Sequence, residues 1–320
     1  MSIILAGYVC IGIMLILLQR VTASVVVPTV AALHIPGAGK KSKAGLDVYD
    51  EEFFSQHRKH DNSYRILVQA IEPFLEDPSF SIVDVGCGHG LLVEAWRARG
   101  RNQSFCVEGA PGAKAMWPTE QAEEYYIQQD LTKPEAKKRI PKTNYVTSFE
   151  VAEHLDACHA DHFVSLLITH RPSLVFFGAA TDFQDRGQNP THVNENSFHY
   201  WAKKFEEHGY SFDGPTSLQI RHSILRDPGY RGQAWWYPKN LLVFANNDVF
   251  SMEDLLQKFS IFPHGVDAKM MMSYAEMAGD SEFGRMWRRD WEEFALLFSE
   301  AKRALRGRET SKRRRRQTRI

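Results

Sequence analysis

"SIVDVGCGHG", residues 81–90, is the stretch on which the fold turns. An apolar, β-branched run ends in Asp84, and glycines then recur at positions 86, 88 and 90. The run reads as a buried strand. The alternate glycines read as a turn whose backbone takes positive φ or must stay bare for something that approaches it closely. The next residues, "LLVEAWRARG" (91–100), have helical periodicity and close on Gly100. Strand, glycine turn and helix in that order point the N–H groups of a helix N-terminus at the end of a strand, which favours an anionic or polar ligand there. On this reading the glycines admit a ligand, and Gly88→Val is expected to abolish its binding while leaving the fold largely intact.

Outward from this unit, strand and helix signals alternate. "QSFCVEG" (103–109), "EYYIQQD" (124–130), "NYVTSFE" (144–150) and "PSLVFFGAA" (172–180) read as strands. A helix is expected around "VAEHLDACHADHFVSLLITH" (151–170) and another over "SFHYWAKKFEEHGY" (197–210), closed by Gly209. "NLLVFAN" (240–246) reads as a last strand, antiparallel at the edge. Residues 49–75 have helical spacing with Pro73 near the end, and residues 251–305 look like a helical packing extension. Alternation of this kind predicts an α/β, doubly wound, Rossmann-like fold with a mostly parallel sheet. The expected organisation is a signal anchor or signal peptide (1–23), a linker (24–46), a catalytic domain (47–250), the helical extension (251–305) and a basic, disordered tail (306–320).

Composition bounds the function. The 320 residues carry 43% hydrophobic and 24% charged side chains with a formal net charge of zero, enough for a substantial core. The end, "RGRETSKRRRRQTRI", is strongly basic, so the rest is net acidic and a uniformly basic nucleic-acid surface is not implied. Nucleic acid could be met only through that tail. The four cysteines (10, 87, 106, 158) form no disulfide framework and no metal-type pair, and are expected as reduced thiols. "IILAGYVCIGIMLILL" (3–18) is apolar throughout. As a helix it would span roughly 24 Å, short of the ~30 Å hydrocarbon core. With basic residues only on its C-terminal side, it is expected to tether a cytosolic domain to the membrane, or, if cleaved, to route the chain into the secretory pathway. Asn102 heads a formal glycosylation sequon that matters only for the second case.

The ligand is narrowed by spacing. The dinucleotide fingerprint needs G-x-G-x-x-G, but here the third glycine comes one residue early and Leu91 stands where that fingerprint wants glycine. Glu108 ends the next strand about twenty residues on, where a carboxylate can accept both ribose hydroxyls. Asp130 ends the third strand. The G-x-G-x-G turn after an acid resembles motif I of class I S-adenosylmethionine (SAM) methyltransferases. "EVAEHL" (150–155) and "HVNE" (192–195), with the Tyr-Trp helix after them, are similar to a subset of that family found in bacteria, phages and algae. The resemblance runs from about Val48 to Asn246; Thr191 and the loop "DFQDRGQNP" depart from it. It implies SAM as cofactor, held by Asp84, Gly86, Gly88, Gly90, Glu108, Asp130 (toward the adenine amino group) and Glu150.

Methyl transfer is an in-line displacement that needs alignment and, for a hydroxyl acceptor, a base. His192 is the first candidate and His154 the second. Asn194 and Glu195 could bind an acceptor's hydroxyls, and Trp201, Trp235, Trp236 and Tyr237 could wall a sugar or apolar group; Glu195 could equally neighbour a helix cap, and the aromatics could equally be core. The expected acceptor is a small molecule or glycan-like hydroxyl. Glu150, Glu153 and His154, at helical spacing on one face, could with His192 hold a divalent metal. This resembles metal-assisted RNA 2′-O-methyltransferases. A non-catalytic, membrane-tethered SAM-binding protein is the reading from another class.

Overall fold

A computed structural model of the chain describes residues 46–57, 61–75, 79–117, 124–182, 184, 188–230, 232, 234–262 and 282–317. The expected anchor and nearly all of the linker lie outside these residues. Among the described residues no helix is long and apolar enough to cross a membrane.

Seven strands form one sheet: β1 (Ile82–Val85), β2 (Ser104–Glu108), β3 (Tyr126–Gln128), β4 (Tyr145–Phe149), β5 (Leu174–Gly178), β6 (Tyr210–Phe212) and β7 (Leu242–Asn246). Their spatial order is β3-β2-β1-β4-β5-β7-β6. The first five are parallel, and β7 runs antiparallel to both β5 and β6. The antiparallel edge is thus a pair, in which the three-residue β6 lies outside β7. The strand order reverses between β1 and β4, and the crevice at the carboxyl ends there is where such sheets bind ligands. Continuous apolar runs suit strands covered on both faces: β1, β5 and β7 are buried along their whole length.

The helices are α1 (Glu51–His57), α2 (Asp61–Ile71), α3 (Leu91–Ala98), α4 (Pro111–Lys114), α5 (Ala160–Leu167), α6 (Phe198–Glu207), α7 (Gly214–Arg226), α8 (Trp236–Asn240), α9 (Met252–Ser260) and α10 (Glu282–Gln317). The single helix expected over 49–75 is divided into α1, α2 and a 3₁₀ turn at Glu72–Phe74 that carries Pro73. Phe205 stacks on Phe244 at 3.9 Å in the core beside Phe177 and Trp201. Trp201 is 1% exposed there, so it belongs to the core and not to an acceptor wall.

The helical extension is part of the same core. Trp287, Trp291, Phe294 and Phe298 recur at four- and three-residue spacing on α10 and are all buried. Phe298 meets Phe259 of α9 at 4.8 Å, and Phe294 meets Phe212 of β6 at 5.7 Å. The basic run expected to be disordered continues α10 to Gln317. A docked stretch supplies the nucleus that an isolated helix lacks, and Arg and Lys then propagate it at little cost.

Candidate functional site

The glycine turn answers the question that its sequence raises. Gly86, Gly88 and Gly90 all have positive φ (80°, 54° and 83°), a region that side chains rarely adopt. A Cβ on Gly86 would run into Val151, on Gly88 into the Phe54 ring, and on Gly90 into Tyr126. What presses on this backbone is the protein's own packing. The expectation that Gly88→Val spares the fold is therefore corrected: the side chain would be strained by φ and opposed by Phe54.

The acids after the first two strands converge on that turn. Glu108 accepts the Gly88 N–H through Oε2 and the Ala110 N–H through Oε1, both at 2.7 Å. The Gly109 N–H bonds the same carboxyl, whose two oxygens together retain room for a further donor. Burial raises the Glu108 carboxyl above its ordinary range, against the pull of these N–H groups. Asp84, across β1 from Thr147, accepts its hydroxyl at 2.8 Å. Burial, opposed by Thr147 and aided by the nearby Glu108, pushes Asp84 up to about 7. Asp130 caps its own turn, taking the backbone N–H and hydroxyl of Thr132 at 2.9 and 2.7 Å.

A second correction concerns the cysteines. β1 and β2 are adjacent and Cys87 lies just past the end of β1, so it reaches Cys106 on β2, with Cα atoms 5.5 Å apart in a disulfide. Proximity in sequence spacing alone does not reveal this pair. Cys158 is free and exposed.

The helix expected over 151–170 is an α-helix only at Ala160–Leu167. Glu150 takes φ +57°, and a 3₁₀ turn over Ala152–His154 follows. The backbone N–H groups of Val193 and Asn194 bond the Glu153 carbonyl at 2.9 and 3.0 Å, which pins the later loop to this turn. Glu153 is fully buried, and neither of its carboxyl oxygens has a partner with hydrogen-bond geometry. Burial first, then the facing Glu150 carboxyl, raises its pKa well above the usual carboxylate range. His154 and His192 meet ring edge to face at 4.8 Å. Nδ1 of His154 lies 3.1 Å from the Thr191 carbonyl, and Nδ1 of His192 lies 2.8 Å from Glu195 Oε1. Glu195 thus orients His192, while the cap of α6 is Ser197. Glu153, His154 and His192 bring one ligand atom each within 4.8 Å of one another. Asn194 is buried, its amide on the Ala152 carbonyl at 3.3 Å, and supports the loop.

Of the aromatics expected to wall an acceptor, Tyr237 is buried, its ring 5.7 Å from Phe149 and 5.8 Å from Tyr64. Trp235 and Trp236 are half-buried beside it. Tyr49 was not singled out by the sequence, yet its ring stands 5.4 Å from His154. Burial, opposed by its hydrogen bond with Thr191, raises the phenol to about 12. Gln184, Lys239 and Asn240 were missed as well. Gln184 Nε2 and Asn240 Nδ2 both donate to Glu150, at 2.9 and 2.8 Å. A signal existed for Lys239 and Asn240: because β7 is antiparallel, the residues before it lie at the carboxyl edge of the parallel strands.

No family model matches the sequence, and no curated protein matches it. Solved structures resemble it in fold. A SAM-dependent methyltransferase from Archaeoglobus fulgidus is 18% identical over 49% of this chain and 74% of its own, with a TM-score of 0.42. A Haloferax volcanii methyltransferase in complex with the Trm112 activator is 14% identical over 64% and 99%, at 0.45. Magnesium protoporphyrin IX methyltransferase from Synechocystis PCC 6803, with SAH bound, is 16% identical over 48% and 74%, at 0.35. At these identities the likeness concerns fold alone; the chain has a Rossmann-like sheet of the kind expected from its sequence.

Proposed function

We propose that the protein is a SAM-dependent methyltransferase acting on a hydroxyl of a small or glycan-like acceptor. The observation that carries the reading is the convergence of Glu108 on Gly88, 2.7 Å away, at the crevice where the strand order reverses. In this reading Glu108 takes the ribose hydroxyls through its remaining lone pairs, Asp84 and the glycine turn line the cofactor's other end, and Asp130 serves the adenine. SAM supplies a methyl group already activated on sulfonium. The chain's own part is to hold the acceptor in line and take its proton. His192, oriented by Glu195, is the base, with His154 beside it. SAH should bind the purified protein calorimetrically, and His192→Ala should keep that affinity while methyl transfer into a fractionated extract falls. A folded protein that gives no heat with SAM or SAH refutes the proposal.

One observation favours a metal-assisted version of this chemistry. A fully buried carboxyl group facing two imidazoles, with one ligand atom of each within 4.8 Å of the others, suits a divalent cation that accepts oxygen and nitrogen ligands. Nδ1 of each histidine is held, so Nε2 is the nitrogen each would offer, and the contacts to Thr191 and Glu195 would orient the rings. Such a cation would polarise the acceptor hydroxyl. Titration with Mn²⁺ alone distinguishes the versions: binding that is lost in Glu153→Gln and His192→Ala supports the metal, and no binding to the wild type removes it.

A further inference from the structure

α10 reaches the site through a buried ion pair. The Lys239 side chain has no exposed surface and that of Asp290 only 2%. Lys239 Nζ stands 2.7 Å from Asp290 Oδ2, 2.7 Å from Thr181 Oγ1, 2.7 Å from Asn240 Oδ1 and 3.2 Å from Gln184 Oε1. Beyond those two amides lies Glu150, which accepts from Asn240 Nδ2 and Gln184 Nε2. An ammonium only donates and an ionised carboxylate only accepts. Two amides caught between them satisfy both neighbours in one orientation alone, oxygens toward Lys239 and nitrogens toward Glu150. Asp290 is itself fixed by the Thr181 hydroxyl at 2.7 Å and by Arg289 at 2.7 and 2.8 Å. Arg289 also donates to the Asp182 carbonyl at 2.6 Å, so the pair grips the loop that carries Gln184.

We propose that Lys239, anchored by Asp290 of the C-terminal helix, is a positioning residue that turns the amides of Gln184 and Asn240 into donors and so fixes the Glu150 carboxylate at the end of β4. Glu150 needs fixing because its left-handed backbone, φ +57°, is strained for a residue with a side chain and persists only where surrounding structure over-determines it. Stability does not account for the ion pair. A buried pair replaced by apolar residues of like size is often neutral or more stable, whereas removal of one partner leaves a charge stranded. In its consequence for turnover, the proposal rests on the methyltransferase reading.

The test uses the full chain and three forms: wild type, Lys239→Met, and the double variant Lys239→Met with Asp290→Leu. Selective ¹⁵N labelling of Asn and Gln, assigned with Gln184→Glu and Asn240→Asp, follows the two side-chain amides directly. In the wild type they should be shifted by the carboxylate and slow to exchange. Both properties should be lost in the single and in the double variant. The melting temperature should fall in the single variant and recover in the double. Methyl transfer into extract should stay at least about tenfold down in both, with SAH affinity within about threefold of wild type, as expected when the group lost acts on the reacting geometry and not on cofactor binding. A double variant that regains wild-type amide signals, or turnover together with stability, overturns the proposal and leaves the pair as scaffolding. A wild type that neither binds SAH nor transfers methyl refutes the methyltransferase reading, and the amide signals then decide the positioning role by themselves.

Discussion

Asp84 offers the sharpest physical test of the electrostatics beside the glycine turn. Its carboxyl is raised from 3.8 to about 7, chiefly by burial. The folded protein therefore holds a proton on Asp84 over a range in which the unfolded chain has released it. Stability from this group is complete below about pH 4 and is lost as pH rises through about 7, because across that window the native state binds more protons than the unfolded state. About three pK units correspond to about 4 kcal/mol. Asp84→Asn keeps an oxygen to accept the Thr147 hydroxyl and cannot ionise. The assay is urea unfolding of wild type and variant from pH 4 to pH 8. Whatever fixed cost the asparagine brings is the same at every pH and drops out of the slope. The variant should gain on the wild type by several kcal/mol as pH rises, with most of the change between pH 4 and 7. A difference that stays flat across that range refutes the argument that burial governs this carboxyl.

Three further outcomes are expected. Gly90→Ala should cost more than about 1–2 kcal/mol, because it combines a left-handed φ of +83° with a collision against Tyr126; a neutral result in urea unfolding would mean that the turn relaxes freely. Without reductant, maleimide should miss Cys87 and Cys106 in the denatured chain; reduction should expose both and lower stability by about 3 kcal/mol, since the bond closes a loop of 19 residues. Phe298→Ala should cost about 3–5 kcal/mol in one cooperative transition of the whole domain, and separate melting of α10 would contradict its place in the core.

Four of the first five strands were legible as apolar runs bounded by glycine, proline or an acid, and the three-residue β3 by its aromatic start and the Asp130 after it. β6 was not, since Tyr210–Phe212 follows directly on the Gly209 turn and Tyr210 reads as the tail of the helix before it. α7 escaped because Thr216, Ser217 and Arg221 are buried among its Leu218, Ile220, Ile224 and Leu225, which blurs the apolar stripe; the Asp213 cap before Gly-Pro was the clearer signal. The helix expected over 151–170 forms at Ala160–Leu167, and its first part differs for a tertiary reason: bonds from Val193 and Asn194 hold a 3₁₀ turn at Glu153 where periodicity favoured an α-helix. Strand and turn order alone were enough to put Asp84 and Glu108 beside the glycine turn. His192 and His154 were found as types, but their edge-to-face contact and the burial of Glu153 depend on the loop after β5. Lys239, Gln184 and Asp290 lie too far apart in the chain for any spacing rule to join them.

The face of α10 that meets the domain shows why that last group belongs to the site. Trp287, Trp291 and Phe294 are buried there, and Asp290, in their midst, is 1% exposed. If the helix served packing alone, an apolar side chain would suit position 290, since burial of a carboxylate and an ammonium costs several kcal/mol per ion before their attraction offsets it. The charge instead meets Lys239, which also bonds Thr181 and both of the amides that hold Glu150. A helix that only stabilised the sheet could be replaced by any amphipathic segment of the right shape. Grafting an apolar residue at 290 together with one at 239 should preserve the fold and still leave Glu150 without its oriented donors.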